Sequence, residues 1–267
     1  MSNDDQEPRL DFNTDWSYSP APESTDHVAI KKRYELFING EFVAPAKGEY
    51  FSTVSPSSEQ PLAEVATAGK EDVDRAVQAA RTAYERHWSK LPAATRGKYI
   101  YRIARALQER AREFAVLESL DGGKPIRESR DVDVPLAAAH FFYYAGWADK
   151  VDYAFPGRKT RPVGVAGQII PWNFPLLMAA WKIAPAIACG NTVVLKPAET
   201  TPLTALLLAE VIQEAGVPPG VVNIVTGAGA TGAAIVDHPD IDKIAFTGST
   251  EVGRIIQKAL AGSDTRY

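Results

Sequence analysis

From residue 192 onward, short apolar runs alternate with amphipathic segments, and this alternation constrains the fold more than any other feature of the sequence. Strands are expected over 192–195, 221–225 and 243–246, and helices over 204–214, 233–236 and 251–260. Three βα units in succession predict an α/β fold, with a Rossmann-type parallel sheet, right-handed crossovers and flanking helices. Three strands are half of a doubly wound dinucleotide-binding sheet, whose two halves meet at the ligand crevice. The sheet is therefore expected to be partial, as in a truncated chain.

Upstream, Leu36-Phe37-Ile38 and Glu41-Phe42-Val43 flank Asn39-Gly40, the dipeptide that most readily takes positive φ at both turn positions, and predict a hairpin. A turn-rich stretch follows at Pro56-Ser57-Ser58. Val73, Ala76, Val77, Ala80 and Tyr84 share one face of a helix beginning near Glu71. A longer helix is expected over 94–120, where Ile100, Ile103, Leu107, Ala111, Phe114 and Leu117 keep helical spacing and Asp121-Gly122-Gly123 supplies the stop. Phe141, Phe142, Tyr143, Tyr144 and Trp147 close a third helical stretch and are expected in the core. Residues 1–30 hold seven acids and one base, Arg9, without apolar periodicity, which predicts a flexible or draped acidic arm.

Charge and cysteine content exclude several functions. The 29 Lys and Arg against 33 Asp and Glu give a net charge of −4, which argues against nucleic acid or an anionic membrane as the partner. The most apolar stretch, 163–189, is broken by Gln168, Asn173, Lys182 and three prolines, a poor bilayer span. The N-terminus carries Asp4, Asp5 and Glu7 where a secretory signal carries positive charge. With the single cysteine, Cys189, this predicts a reducing compartment, the cytoplasm, and no disulfide framework. His27, His87, His140 and His238 lack ligand spacing, so no metal site is expected.

Two glycine loops compete for a phosphate. Gly227-Ala228-Gly229-Ala230-Thr231-Gly232 fits G-x-G-x-x-G between a strand and a helix, and reads equally as a tight βα turn. In Phe246-Thr247-Gly248-Ser249-Thr250-Glu251-Val252-Gly253, Gly248 lets the backbone turn, Ser249 and Thr250 offer caps, and free helix N–H groups can face an anion. Arg254 and Ile255 stand where a P-loop needs Lys and Ser or Thr, which argues against an ATPase of that type. Lys196 and Glu199 lie just beyond a strand end, where a carboxylate can accept from ribose hydroxyls and an ammonium can donate.

Ile169-Ile170-Pro171-Trp172-Asn173-Phe174-Pro175, Lys182, Gly190-Asn191-Thr192-Val193-Val194-Leu195-Lys196-Pro197-Ala198-Glu199 and the loop 246–253 together resemble the NAD(P)-dependent aldehyde dehydrogenase superfamily. The likeness runs from about Leu36 to the last residue and includes Leu120-Asp121-Gly122-Gly123-Lys124-Pro125. It implies an aldehyde-dehydrogenase-like fold, NAD or NADP as cofactor, and a small-molecule aldehyde as substrate. By this resemblance Asn173 would donate to the oxyanion and Lys182 would be the buried lysine near the catalytic water path. Ile169, Ile170, Pro171 and Trp172 would line the cofactor, and Lys196 and Glu199 would hold the adenosine ribose. Gly229, Gly232, Phe246, Gly248, Ser249 and Val252 would approach the adenine and pyrophosphate.

The resemblance divides the chain into the arm (1–33), a hairpin and helical part of the cofactor domain (34–150), a short hairpin segment (151–163) and the first βα units of the NAD(P) domain (164–267). Many members of the superfamily carry a longer hairpin between Lys150 and Arg161 that pairs with a neighbouring subunit, so a homo-oligomer is expected to have this element reduced. Members also use a cysteine nucleophile and a glutamate base within a Glu-Leu-Gly-Gly motif, and neither is found in this sequence. Cys189, in the apolar run Ala186-Ile187-Ala188, reads as a buried structural thiol. The chain is thus expected to be an N-terminal portion, inactive alone. The alternatives are a non-catalytic nucleotide-binding or interaction module, or a fragment without independent function.

Overall fold

After a 3-10 turn at Thr25–His27 come β1 (Arg33–Tyr34), β2 (Leu36–Ile38) and β3 (Glu41–Val43). This computed structural model describes residues 24–266, so the expected acidic arm falls outside them over residues 1–23. Residues 24–33, the rest of that arm, are fixed to the body of the protein. Val28 and Ile30 pack against the core, and Lys31 pairs with Glu210 at 2.6 Å. The β2–β3 hairpin turns as its sequence predicts, with Asn39 at φ 55 and Gly40 at φ 81.

β4 (Tyr50–Val54) and β5 (Pro61–Ala66) flank the Pro56-Ser57-Ser58 turn as a second antiparallel pair, and β1 adds in parallel to make a small sheet ordered β1-β5-β4. Then come α1 (Lys70–Arg86), α2 (Ala93–Glu109) and α3 (Ala111–Gly122). The single helix expected over 94–120 is thus two. The break falls at Arg110, whose ψ of 15 leaves the helical range. Its guanidinium reaches Glu113, Glu210 and Glu214, so a tertiary ion cluster decides a boundary that local spacing does not mark. α4 (Ile126–Glu128) passes through a π turn at Ser129–Asp133 into α5 (Val134–Trp147), beside Pro135, which has no N–H for the helix ladder.

Of the five aromatics expected in the core, Phe141 is fully buried, but Tyr143 and Trp147 are 56% and 37% exposed. Phe142 and Tyr144 are half-buried, because five neighbours in a helix cannot all face one side. The short hairpin expected over 151–163 is not formed. Val151–Ala154 makes one helical turn, α6, and no strand lies between it and residue 164.

The main sheet contains β6 (Val165–Ile169), β7 (Thr192–Lys196), β8 (Val222–Ile224) and β9 (Lys243–Phe246), with α7 (Pro175–Ala188), α8 (Leu203–Glu214), α9 (Gly229–Val236) and α10 (Thr250–Leu260) between and after them. Its order is β3-β2-β8-β7-β6-β9, with β8, β7, β6 and β9 parallel and the N-terminal hairpin antiparallel on β8. The sequence pattern missed β6, so Lys196 ends the second parallel strand rather than the first. The strand is hard to see because Gly167 sits within it. A Cβ there would come within 2.6 Å of Ile235 and 2.8 Å of Ile244, so any larger residue would force these side chains to shift.

Every residue of β7 is buried, as expected of a parallel strand covered on both faces. Val193 and Leu195 join the larger core, with side chains from α2, α3, α5, α7 and α8. Val194 joins the second core, with α1, α9 and α10. The described helices include none long and apolar enough to cross a membrane.

Candidate functional site

The parallel strands deliver their last residues side by side. Ile169 at the end of β6 is in register with Lys196 of β7 and with Phe246 of β9. Backbone bonds extend that alignment past the sheet, since Ile170 N–H donates to the Lys196 carbonyl and Thr247 N–H to the Ile169 carbonyl. Carboxyl ends of strands in such a sheet form the ligand crevice.

Lys196 is buried, and its Nζ lies 3.1 Å from Oε2 of the exposed Glu199. Burial pushes the Lys196 ammonium down, while Glu199 pulls it back up. Desolvation at Glu199 is outweighed by its own backbone amide and by Lys196, which leaves the carboxyl below its ordinary value. The pair presents donors and acceptors at one strand end.

The first glycine loop is a tight βα turn, and its helix starts earlier than the sequence suggests. α9 already begins at Gly229, so Gly229 and Gly232 lie within its opening turn. Gly227 holds φ 145 directly against the Thr231 side chain, whose hydroxyl donates to the Ala68 carbonyl. A Cβ on Gly232 would touch Ile169 and Lys196 at 3.7 Å, whereas Gly229 has open space where a side chain would stand. In the second loop, Val252 N–H donates to Ser249 Oγ, capping α10, and a Cβ on Gly248 would strike the Phe246 ring at 2.5 Å. Val252 is exposed at the start of that helix.

Beyond β6 the chain passes through Ile170, Pro171, Trp172 and Asn173 to α7. Trp172 is 62% exposed, and Asn173 and Phe174 are exposed beside it. On α7, half-buried Lys182 donates to Thr247 Oγ1 at 2.5 Å, and its own carbonyl accepts from Gln168 Nε2. Burial lowers the Lys182 pKa. The expected site residues thus lie along the carboxyl ends of β6, β7 and β9 and the starts of α7, α9 and α10, with Lys182 tied to that row through Thr247.

The chain matches the aldehyde dehydrogenase family over residues 42–266. It belongs to that family. It is 49% identical over 242 residues to the mitochondrial aldehyde dehydrogenase family 2 member B4 of Arabidopsis thaliana, covering 87% of this chain and 45% of the relative. It is 48% identical over 257 residues to human retinal dehydrogenase 2, covering 92% of this chain and 49% of the relative. The NAD+ complex of an aldehyde dehydrogenase from Bacillus cereus superposes with a TM-score of 0.85 at 45% identity, covering 88% of this chain and 50% of that one. The chain spans about half the length of the curated relatives it matches.

Within this chain of the aldehyde dehydrogenase family, Cys189 is exposed rather than buried, because it lies just past the end of α7. Partial desolvation nonetheless pushes its thiol up, with Arg96 opposing. The 14 residues of α7 separate it from Asn173 by roughly 21 Å. It belongs instead to the wall of a cavity of about 760 Å³, with Arg96, Gln168, Trp181 and Lys182. Sequence reasoning missed Thr247 as a partner of Lys182, although it stands inside the loop motif. It also missed several exposed apolar side chains around α7. Trp181 is exposed on α7, Phe174 is exposed just before that helix, and His140 of α5 packs 5.2 Å from Trp181, one turn from exposed Leu136.

Proposed function

We propose that this chain supplies the cofactor-binding and oxyanion-stabilising part of an NAD(P)-dependent aldehyde dehydrogenase. The observation that carries the reading is the alignment of Ile169, Lys196 and Phe246 at three adjacent strand ends, with Glu199 beside Lys196. The residues fit a dinucleotide. Glu199 is exposed with one oxygen on Lys196 and further acceptor capacity for ribose hydroxyls, and Gly229 leaves the approach to the α9 N-terminus clear. The Glu199 carboxylate disfavours a 2′-phosphate, so NAD is preferred over NADP.

When bound, the nicotinamide supplies the hydride acceptor. The chain's own residues then bind, orient and polarise. Lys196 and Glu199 hold the adenosine ribose. Ile169, Ile170, Pro171 and Trp172 line the cofactor's path from the sheet toward Asn173, and Gly248 and Ser249 keep the opposite loop close. Asn173 donates its side-chain amide to the aldehyde oxygen and so polarises the carbonyl. Lys182, depressed by burial and held by Thr247, provides a donor that orients water near the reacting carbon. Phe174, Trp181 and Leu136 favour an aldehyde with an apolar body.

Within its 267 residues the chain has one cysteine, remote from Asn173, and we propose that it binds NAD without oxidising aldehydes. The lone cysteine also supports a reducing compartment such as the cytoplasm. Titration calorimetry of the purified chain with NAD, paired with an NADH absorbance assay on an apolar aldehyde, tests both statements. Saturable binding with no NADH is the expected result. Absence of binding by a folded chain overturns the cofactor reading, and steady NADH production overturns the claim of inactivity.

A further inference from the structure

Asn173 lies in irregular chain, immediately before α7 begins at Pro175, and the residues that follow it are held by groups from a different part of the sequence. Glu118 of α3, fully buried, accepts the Leu176 N–H through Oε2 at 3.3 Å. Lys124, just beyond the left-handed Gly123 that ends α3, sets its Nζ 4.0 Å from the centre of the Phe174 ring. The same ammonium pairs with Asp133 and lies 3.8 Å from Glu118 Oε1. Pro175 has no N–H, so the Leu176 amide is among the first free donors of α7, and a carboxylate there also meets the positive end of the helix dipole. One buried charge cluster therefore grips the chain on both sides of Pro175.

We propose that Glu118 is a positioning residue: through the Leu176 amide and Lys124 it fixes the start of α7 and with it the aim of the Asn173 side chain. The use made of that aim rests on the dehydrogenase reading, but the coupling between Glu118 and residues 172–174 does not. Glu118 Oε1 has no hydrogen-bond partner among the described residues, so the carboxylate depends on Lys124 and one amide to stay charged in its buried site. Burial pushes it up to about 7, Lys124 and the Leu176 amide pull it down, and Asp133 and Asp121 push it up. Around neutral pH a proton can thus remove one of the two charges that hold Lys124, Asp133 being the other, and the charge that strengthens the amide bond, and the start of α7 should respond.

The test is fluorine NMR of the 267-residue chain labelled with 5-fluorotryptophan, with Trp172 identified among the five tryptophans by Trp172→Phe. Over about pH 5.5 to 8.5, the Trp172 resonance should shift in one step with a midpoint near 7. The step should vanish in Glu118→Gln. In Lys124→Met the midpoint should rise, because the ammonium that holds the carboxyl down is gone. A resonance that does not titrate, or a step that survives Glu118→Gln, overturns the proposal. A surviving step near 7 would trace to Asp121, three residues along α3, whose buried carboxyl is likewise pushed up to about 7, and one at lower pH to His140, packed on Trp181, which burial holds below its ordinary value. If Glu118→Gln does not fold, an unmoved midpoint in Lys124→Met overturns the proposal as directly. No NAD is present in any arm, so this outcome and the cofactor reading fail or stand separately.

Discussion

Lys182 Nζ and Thr247 Oγ1 lie 2.5 Å apart, joining the middle of α7 to the residue that follows β9 across 65 positions of sequence. This bond ties the start of the second glycine loop to the helix that carries Asn173 at its head. Thr247→Val keeps the shape and removes the acceptor. The expected cost is about 1 kcal/mol, within the range for one hydrogen bond. Urea midpoints of the two chains check it, and an unchanged midpoint would mean that the bond adds nothing to the fold.

Glu199→Gln should weaken NAD binding by roughly tenfold or more, because a charge-assisted acceptor becomes a neutral one. It should also narrow the preference for NAD over NADP, since a repelling carboxylate is removed. Calorimetry with both nucleotides reads the two effects together. Equal weakening for both would place Glu199 away from the 2′ position.

Two glycines should respond in opposite ways. Gly167→Ala pushes a methyl group against Ile235 and Ile244, and overpacking of this kind costs about 1–3 kcal/mol. Gly229→Ala enters open space inside α9, so folding should be unaffected or slightly favoured. NAD binding should nonetheless fall in Gly229→Ala if the dinucleotide approaches the backbone there. Thermal melts and calorimetry on the same samples separate the two effects.

Asp121 should make the protein less stable as pH rises from about 4 to 7. Burial holds its carboxyl up to about 7, against the amide of Leu203 and the hydroxyl of Thr53. A carboxyl raised in the folded state binds its proton there more tightly than in the unfolded chain. Its stabilising contribution is therefore complete below the unfolded pKa and is lost as pH climbs through the folded one, with a slope approaching 1.4 kcal/mol per pH unit, roughly. Asp121→Asn should remove this share of the slope. Urea unfolding of both chains at about pH 5 and pH 8 measures it, and parallel pH dependences would show that Asp121 does not titrate in this range.

How much of this could be read in advance depends on the distance over which each signal acts. The hairpin at Asn39-Gly40 was legible because the turn demands positive φ at two adjacent residues, a local requirement. β7, β9, α8 and α10 were legible because their apolar runs and periodicities are complete within each segment, and the motif around Asn173, Lys196 and Phe246 was sufficient to place the chain in its family. β6 was hidden by Gly167, whose missing side chain makes sense only once Ile235 and Ile244 are packed against it. The break at Arg110 depends on glutamates about a hundred residues away, and the exposure of Cys189 depends on where α7 ends in space. The sequence determined which elements form and which chemical groups they carry, because propensity, turn geometry and periodicity are local. Only the tertiary structure decided which groups meet. The register that lines up Ile169, Lys196 and Phe246, and the burial that sets Glu118 against the start of α7, arise from long-range packing that no single segment encodes.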